Sequence, residues 1–375
     1  MARGAALGRV LGATLRASCD LPPADVSALD GYAYHGELAP GSELPVALVV
    51  PAGAPPGAQL PAGSAARIFT GAPVPGGADR VIGVEETVAS GERVQLLRPV
   101  AAGAAIRRRA EALATGSELL ARGTPLSPAA LSLLASQGLA MVPVHRPPRV
   151  AVLTTGDEVV PPSAAPGPGQ LRDSHTDFLL AAIARLGLTG RSLGIAPDDP
   201  NELARRMAEG LAADVLLTCG GVSMGDSDYT ESALAALGCQ VLFDAVAIQP
   251  GKPLVAARRG AVLIFGLPGN PASVMVAWWL FVAPALRRLA GEQDGFWRFA
   301  ELAELGGPIP GAKGRDRFLP ATWELVAGRL RVAPREPRGS HDLPAFAGAT
   351  ALIRVPANAA PRAPGAPCEV LRLDR

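Results

Sequence analysis

The chain has 375 residues, of which 49% are hydrophobic and 18% are charged. This balance excludes an intrinsically disordered chain, and the length indicates roughly two to four domains. The formal net charge of +1 gives no electrostatic reason to expect a nucleic-acid or membrane partner.

Cysteine and histidine are too scattered to indicate a metal knuckle or a disulfide frame. The four cysteines form no CxxC pair, which favours a reducing cytoplasm. The most apolar stretch, 272–286, is shorter than a membrane span, and Pro284 is expected to break it. The first residues lack the pattern of a signal peptide. We therefore predict a cytoplasmic chain without a membrane segment.

The first part of the chain suggests a helical domain interrupted by a β module. Residues 1–37 and 108–147 are interpreted as two helical segments that pack together, and Ser127 is predicted to cap a helix that starts at Pro128. Residues 38–107 contain short apolar runs separated by glycine and proline, which is typical of a small inserted β domain.

The second part alternates strands and helices and then returns to short strands. Residues 148–291 predict a doubly wound, mainly parallel α/β domain with helices on both faces. Within it, Asp199 is predicted to cap a helix that has Pro200 at its first position. Residues 292–375 predict a small C-terminal β domain. The predicted fold class is therefore multidomain α/β.

The most informative stretch is 214–229, which reads DVLLTCGGVSMGDSDY. It predicts a buried strand, a glycine loop and a helix, an order that lets backbone N–H groups converge on a phosphate. The carboxylates of Asp226 and Asp228 suit a phosphate that carries a divalent metal. A solvated turn is the alternative interpretation of these two aspartates.

Several loops with unusual composition follow predicted strands. Because ligands bind outside the carboxyl ends of the strands in an open α/β sheet, we expect these loops to share one crevice. Glycine amides, a lysine and several carboxylates together suit an anion bound with Mg²⁺. The loops are Thr155–Glu158, Pro197–Asp199, Gly220–Asp228, Gln249–Pro253 and Gly266–Pro271.

Other polar and aromatic residues have structural interpretations. Asp157 also suits a turn, and the run 107–109 also suits a solvated surface. The pair 278–279, two tryptophans, predicts core packing. His175 and His341 have no evident partners in the sequence, so a satisfied structural role is the better interpretation of each.

Eight motifs in order resemble those of the molybdopterin molybdenumtransferases, from about residue 8 to the C-terminus. The resemblance implies the helical domain in two segments, the inserted β domain, a molybdopterin-binding α/β domain and a C-terminal β-barrel-like domain. It also implies a homodimer with clefts between subunits. The motifs are SALDGYA, RIFTGAPVP, IRRR, TTGDE, PDDP, GGVSMGDSDY, PGKP and GLPGNP.

The activity that the resemblance implies is Mg²⁺-dependent insertion of molybdate into adenylylated molybdopterin, with release of AMP. Its implied protein partners are the molybdopterin adenylyltransferase and acceptor molybdoenzymes. The implied catalytic residues are Asp228, Lys252, Asp30 and Glu158, and the implied Mg²⁺ ligands are Asp228, Glu158 and Asp198. The implied substrate-binding residues are Thr70, Arg107, Asp198, Gly220, Gly221, Ser223, Pro268, Pro271, Ser273, Arg315 and Ser340. Asp30, Thr70 and Arg107 would come from the partner subunit.

The chain departs from the family pattern at several positions. Gln249 and Ala245 stand where the family has lysines, Ala112 replaces an acid, and Pro320 replaces an arginine. The family's first helix is also missing. Arg172 is a candidate to replace the lost positive charge.

These departures motivate a rival from another class, a non-catalytic carrier or scaffold that binds molybdopterin or the finished cofactor. A second rival is an enzyme that adenylylates molybdopterin. That activity resides in a related single α/β domain, and the two β modules predicted here disfavour it.

Overall fold

The computed structural model describes residues 1–221, 229–293 and 301–373. The chain divides into two compact units, of which the first comprises 1–7 with 11–143 and the second comprises 8–10 with 144–375.

The first unit is mainly β. Its strands are β1 (Leu15–Arg16), β2 (Val26–Ser27), β3 (Gly31–Tyr34), β4 (Glu43–Val50), β5 (Ala65–Ile68), β6 (Arg80–Gly83), β7 (Thr87–Ser90), β8 (Arg93–Leu96), β9 (Ile106–Arg107) and β10 (Glu118–Leu120). Six of them form one sheet in the order β6-β3-β5-β4-β8-β7, while β1 pairs with β10 and β2 pairs with β9. The sheet confirms the predicted β module, but it includes β3, which the predicted boundary at residue 38 left outside.

The helical interpretation of 1–37 and 108–147 is wrong for most of both segments. Strand β1 pairs with β10, and Leu21 bridges Leu113, so the two segments pack together through strands and loops. The alanine-rich composition favours helix locally, but the frequent glycines and prolines leave few uninterrupted turns.

One helix of the predicted helical domain is present, α1 (Pro128–Ser136). The Ser127 side chain accepts a hydrogen bond from the Ala130 N–H at 3.1 Å, which confirms the predicted cap. A short 3₁₀ turn, Arg3–Ala5, lies near the start of the chain, and another covers Val84–Glu86.

The second unit contains an α/β layer and a β-barrel. Its strands are β11 (Arg149–Thr155), β12 (Val159–Val160), β13 (Leu171–Arg172), β14 (Thr189–Ala196), β15 (Val215–Cys219), β16 (Gln240–Ala245), β17 (Ile248–Gln249), β18 (Pro253–Arg259), β19 (Val262–Leu267), β20 (Glu301–Leu305), β21 (Asp316–Val326), β22 (Arg329–Pro334), β23 (Ala351–Val355) and β24 (Pro367–Arg372). Its helices are α2 (His175–Arg185), α3 (Pro200–Gly210), α4 (Tyr229–Ala236), α5 (Pro271–Ala277), α6 (Ala283–Leu289) and α7 (Leu343–Ala347).

The central sheet has the order β14-β11-β15-β19-β18-β16. The first four strands are parallel, and β18 runs antiparallel to both of its neighbours. The mainly parallel prediction is therefore confirmed, although β18 was not foreseen from the sequence. Alternate residues of β11 face opposite cores, since Val150 and Val152 pack with α2 and α5 while Ala151 and Leu153 pack with α3 and α4.

Helices α5 and α6 join through a π-helical segment, Trp278–Val282, into one helix. The expected break at Pro284 is wrong. In the wider π turn the Ala283 N–H donates to the Trp278 carbonyl, and a local widening of this kind helps a helix to accommodate proline. The combined helix, Pro271–Leu289, is long and apolar enough to cross a membrane, but 61% of the apolar 18-residue window within it is buried. Because the core helix of a soluble protein can have the same length and composition, these two properties are weak evidence for a membrane span.

The C-terminal strands form a closed barrel. The order β21-β22-β20-β24-β23 closes because β23 also pairs with β21, and β17 adds to the side of β21. Alternating residues of these strands, including Leu305, Val332 and Ile353, fill the interior. The barrel confirms the predicted C-terminal β-barrel-like domain.

Candidate active site

The carboxyl ends of β11, β14, β15 and β19 surround a cavity of about 440 Å³, which we call the acidic cavity. Its only ionisable lining residues among those described are Glu158 and Asp198. The sequence placed these residues in separate loops, and the sheet topology brings the loops together as expected. The lining consists of Thr155, Gly156, Glu158, Leu171, Asp198, Gly220, Gly221, Pro253, Pro268, Gly269 and Asn270.

Asp198 is held by the loop that follows β11. Its carboxylate accepts hydrogen bonds from the Thr155 hydroxyl at 3.1 Å and from the Asp157 N–H at 3.4 Å. The Asp157 carboxylate in turn accepts from the Asp198 N–H at 3.1 Å. Asp157 therefore has the structural role that was one of its two interpretations, because it ties the two loops together.

Glycine is required where two loops approach each other. Gly220 has a φ of +100°, and a Cβ there would lie 2.4 Å from the Thr155 carbonyl oxygen. Gly156 has a φ of +142°, and a Cβ there would lie 2.6 Å from the Glu158 carboxylate. Gly220 therefore needs both its positive φ and its missing side chain, because the atom in the way belongs to the backbone. Gly156 is needed for its positive φ, since the Glu158 carboxylate could move aside.

Two of the three predicted Mg²⁺ ligands, Glu158 and Asp198, belong to the described residues. Ser223, Asp226 and Asp228 lie outside the described residues. Within the described ranges, no group of three or more His, Cys, Asp or Glu side chains could hold a metal ion. Glu158 and Asp198 share the acidic cavity, so two of the three predicted ligands are brought together there.

A second cavity of about 310 Å³, the basic cavity, adjoins the first and shares Pro253, Pro268 and Asn270 with it. Its ionisable lining residues are Lys252, Arg315 and Arg317, and no Asp or Glu belongs to the described part of its lining. The remaining lining residues are Gln249, Pro250, Gly251, Ala272, Ser273, Phe318, Leu319, Pro337, Gly339, Ser340 and Phe346.

The basic cavity lies between the α/β layer and the barrel, and residues of both line it. The Ala272 N–H, in the first turn of α5, donates to the Ser340 carbonyl at 3.0 Å. Ser273 on the same turn is buried. Pro271 occupies the first turn of the helix but lines neither cavity among the described residues, so it acts by starting the helix.

The sequence did not single out Arg317 or Asn270 as binding residues. A signal for Arg317 was present in the sequence, since it lies only two residues after the predicted binding residue Arg315, which directly precedes β21. Asp316 between them instead accepts a hydrogen bond from Arg354 at 2.8 Å. Arg172, the candidate for replacing lost charge, donates to the Ala164 carbonyl at 3.0 Å and lines neither cavity as described.

In the first unit, Asp30, Thr70 and Arg107 belong to segments that meet around Ser27. Ser27 bonds through its backbone to Gly71 and Ala72, and it pairs with Ile106 beside Arg107. The side chains of Asp30, Thr70 and Arg107 are all exposed. Arg107 makes no side-chain hydrogen bond or ion pair with the described residues. Its neighbours Arg108 and Arg109 pair with Asp25 and Asp20, each at 2.6 Å.

Asp199, Trp278 and His175 were expected to have structural roles. Asp199 accepts from the Glu202 N–H at 2.8 Å and caps α3 as predicted. Trp278 is buried and packs edge-on against Phe178 at 6.4 Å between ring centroids. Burial lowers the pKa of His175, but its Nε2 has no hydrogen-bond partner in the described ranges, so the expected satisfied role is not met.

The sequence and the fold of this chain match those of known proteins, and these matches identify its family. Residues 2–138 match the family described as "MoeA N-terminal region (domain I and II)", residues 151–288 match "Probable molybdopterin binding domain", and residues 303–373 match "MoeA C-terminal region (domain IV)". A molybdopterin molybdenumtransferase 2 of Mycobacterium tuberculosis is 34% identical over 97% of this chain and 92% of its own length. The chain belongs to the molybdopterin molybdenumtransferase family.

Further relatives agree with this membership. A molybdopterin molybdenumtransferase of Nostoc sp. is 40% identical over 78% of this chain and 69% of its own length. The crystal structure of a molybdopterin biosynthesis MoeA protein from Pyrococcus horikosii superposes with a TM-score of 0.83 at 29% identity, covering 100% of this chain and 94% of that one. The family that the sequence motifs indicated is confirmed. Its curated members also confirm the prediction of a transferase of molybdenum cofactor biosynthesis.

Proposed function

We propose that this family member inserts molybdate into adenylylated molybdopterin and releases AMP. The observation that carries the proposal is the contact between two cavities of opposite character. The acidic cavity offers Glu158 and Asp198, the basic cavity offers Lys252, Arg315 and Arg317, and they share Pro253, Pro268 and Asn270. A nucleotide-linked phosphate with its cation suits the first, and a tetrahedral oxyanion suits the second.

The residues of the basic cavity would hold molybdate by charge and hydrogen bonds. Lys252 and Arg315 supply positive charge, and Ser273 and Ser340 supply hydroxyl groups. Because the two cavities adjoin, molybdate held here would lie beside a pterin whose phosphate occupies the acidic cavity. Such positioning lowers the entropic part of the activation barrier, and the protein need not form a covalent intermediate with the substrate.

The residues of the acidic cavity fit Mg²⁺ in their chemistry. Glu158 and Asp198 provide the hard oxygen donors that Mg²⁺ prefers, and Mg²⁺ usually takes only one or two protein carboxylates and completes its shell with water and substrate phosphate. Asp228 is the further proposed ligand and catalytic residue. When bound, Mg²⁺ would supply positive charge to the leaving phosphate.

The test of this activity is AMP release from adenylylated molybdopterin by the purified chain. Release that needs both molybdate and Mg²⁺ is the expected result, and omission of either one is the matched control. Tight binding of the pterin without AMP release would instead support the rival proposal of a carrier or scaffold. That rival is motivated by the departures from the family pattern at Gln249, Ala245 and Ala112.

We also propose that the protein acts in the cytoplasm as a homodimer and exchanges substrate and product with the molybdopterin adenylyltransferase and acceptor molybdoenzymes. Asp30, Thr70 and Arg107 would complete the cleft of the partner subunit. Mixing an inactive Asp30→Asn variant with an inactive Lys252→Gln variant would then recover about a quarter of the activity after subunit exchange, since half of the dimers would hold one intact cleft. No recovery in freely exchanging dimers would contradict the shared cleft.

A further inference from the structure

The basic cavity contains an arginine that the sequence motifs did not identify. Arg317 lines this cavity, and its partner in the parallel β17–β21 ladder is Gln249, which also lines it. Residues paired across a sheet place their side chains on the same face. An uncharged Gln249 and a permanently charged Arg317 therefore stand side by side at the cavity.

The charge of Arg317 has no neutralising partner among the residues that the structure describes. Within the part of the chain that the structure describes, the guanidinium groups of Arg315 and Arg317 take part in no hydrogen bond or ion pair. The carboxylate between them in sequence, Asp316, is engaged on the other side by Arg354 and by the Ala357 N–H at 2.8 Å each. The two guanidinium groups thus keep their donors for a ligand.

We propose that Arg317 binds the oxyanion substrate in the basic cavity and supplies the positive charge that Gln249 beside it does not. This inference rests on the proposed function and concerns its molybdate subsite. Arg315 directly precedes β21 and Arg317 is its second residue, and both line the basic cavity, so their planar groups present several N–H donors to a tetrahedral dianion. The charge missing at residue 249 is thereby restored from the neighbouring strand.

The experiment measures molybdate binding to the purified full chain by equilibrium dialysis, without pterin and without turnover. Arg317→Gln is expected to weaken binding about ten- to a hundredfold, the loss typical of one hydrogen bond to a charged group. Gln249→Lys in the unaltered chain is expected to tighten binding. The double variant with both changes is expected to recover most of the lost affinity, because it moves the charge across the ladder. Arg329→Gln, at an exposed position on β22 of the same barrel, is the matched control and should bind molybdate normally.

The outcomes separate this inference from the proposed function. Unchanged binding by Arg317→Gln, with binding lost in Lys252→Gln, would overturn the role of Arg317 and leave the molybdate site in place. No binding by the unaltered chain would overturn both. If Arg317→Gln fails to fold by circular dichroism, Arg317→Met replaces it, because the long unbranched side chain keeps the packing of the arginine stem without the charge. Unchanged molybdate binding by that variant would refute the inference.

Discussion

The backbone N–H and the hydroxyl of Thr70 both donate to the same carboxylate oxygen of Asp30, at 2.7 and 2.8 Å. These two hydrogen bonds, with a smaller contribution from the charge of Arg67, lower the pKa of Asp30. An exposed carboxylate is therefore kept ionised and in a fixed orientation by its neighbour.

Removing the Thr70 hydroxyl should loosen this carboxylate. We expect Thr70→Val to reduce AMP release about tenfold, because a hydrogen bond to a charged group that orients Asp30 is lost. Thr87→Val is the control, since the Thr87 hydroxyl donates only to the Val84 carbonyl in the same β unit. Equal activity of both variants would mean that the orientation of Asp30 is unimportant.

Asp198 and Asp199 are adjacent, but the structure gives them different tasks. We expect Asp199→Ala to lower the free energy of unfolding by about 1 kcal/mol, because α3 loses its cap, with AMP release unchanged. Asp198→Asn should instead reduce AMP release by about tenfold or more and raise the Mg²⁺ concentration needed for half-maximal activity. Denaturant unfolding and AMP release, measured on both variants, would show whether the two effects separate. A reversal of the two patterns would contradict the assignment.

Gly220 and Gly194 both have positive φ, at +100° and +84°, but only Gly220 faces a neighbouring backbone. Gly194→Ala should cost about 1 kcal/mol of unfolding free energy, the penalty for a left-handed alanine. Gly220→Ala should cost roughly 2 kcal/mol more, because its Cβ would overlap the Thr155 carbonyl. Urea unfolding of both variants provides the comparison. Equal losses would show that the two loops can move apart freely.

Acid should weaken the first unit through Asp79. The hydrogen bonds from Arg80, at 2.8 Å each, are the main cause that lowers the pKa of Asp79 to about 2 from 3.8. A lowered pKa contributes stability that is complete above pH 4 or so and is lost as the pH falls toward 2. Asp79→Asn should therefore make the free energy of unfolding less dependent on pH in that window. Glu324→Gln, at an exposed glutamate that makes no side-chain hydrogen bond or ion pair with the described residues, should leave the dependence unchanged.

The loops of the acidic cavity were predictable because a parallel sheet forces the carboxyl ends of its strands together. Asp198 and Gly220 could be assigned to one place once each was known to follow a strand. The cap formed by Asp199 was also predictable, since it depends on residues three positions apart.

The basic cavity could not be predicted to the same extent. The position of Arg317 beside Gln249 depends on the pairing of β17 with β21, whose residues are distant in sequence. The helical interpretation of 1–37 failed for a related reason, because pairing with a distant segment outweighed local propensity. At Pro284, a change of helix type removed a break that the residue alone predicted.

The helix that starts at Pro271 packs into two separate apolar clusters. Val274 and Trp278 belong to the core beneath the central sheet, while Val276 and Leu280 pack with Phe318 and Phe346 near the barrel. The first turn of this helix also contributes to the basic cavity. The side of the basic cavity that this helix forms is thus held by packing against two apolar clusters at once.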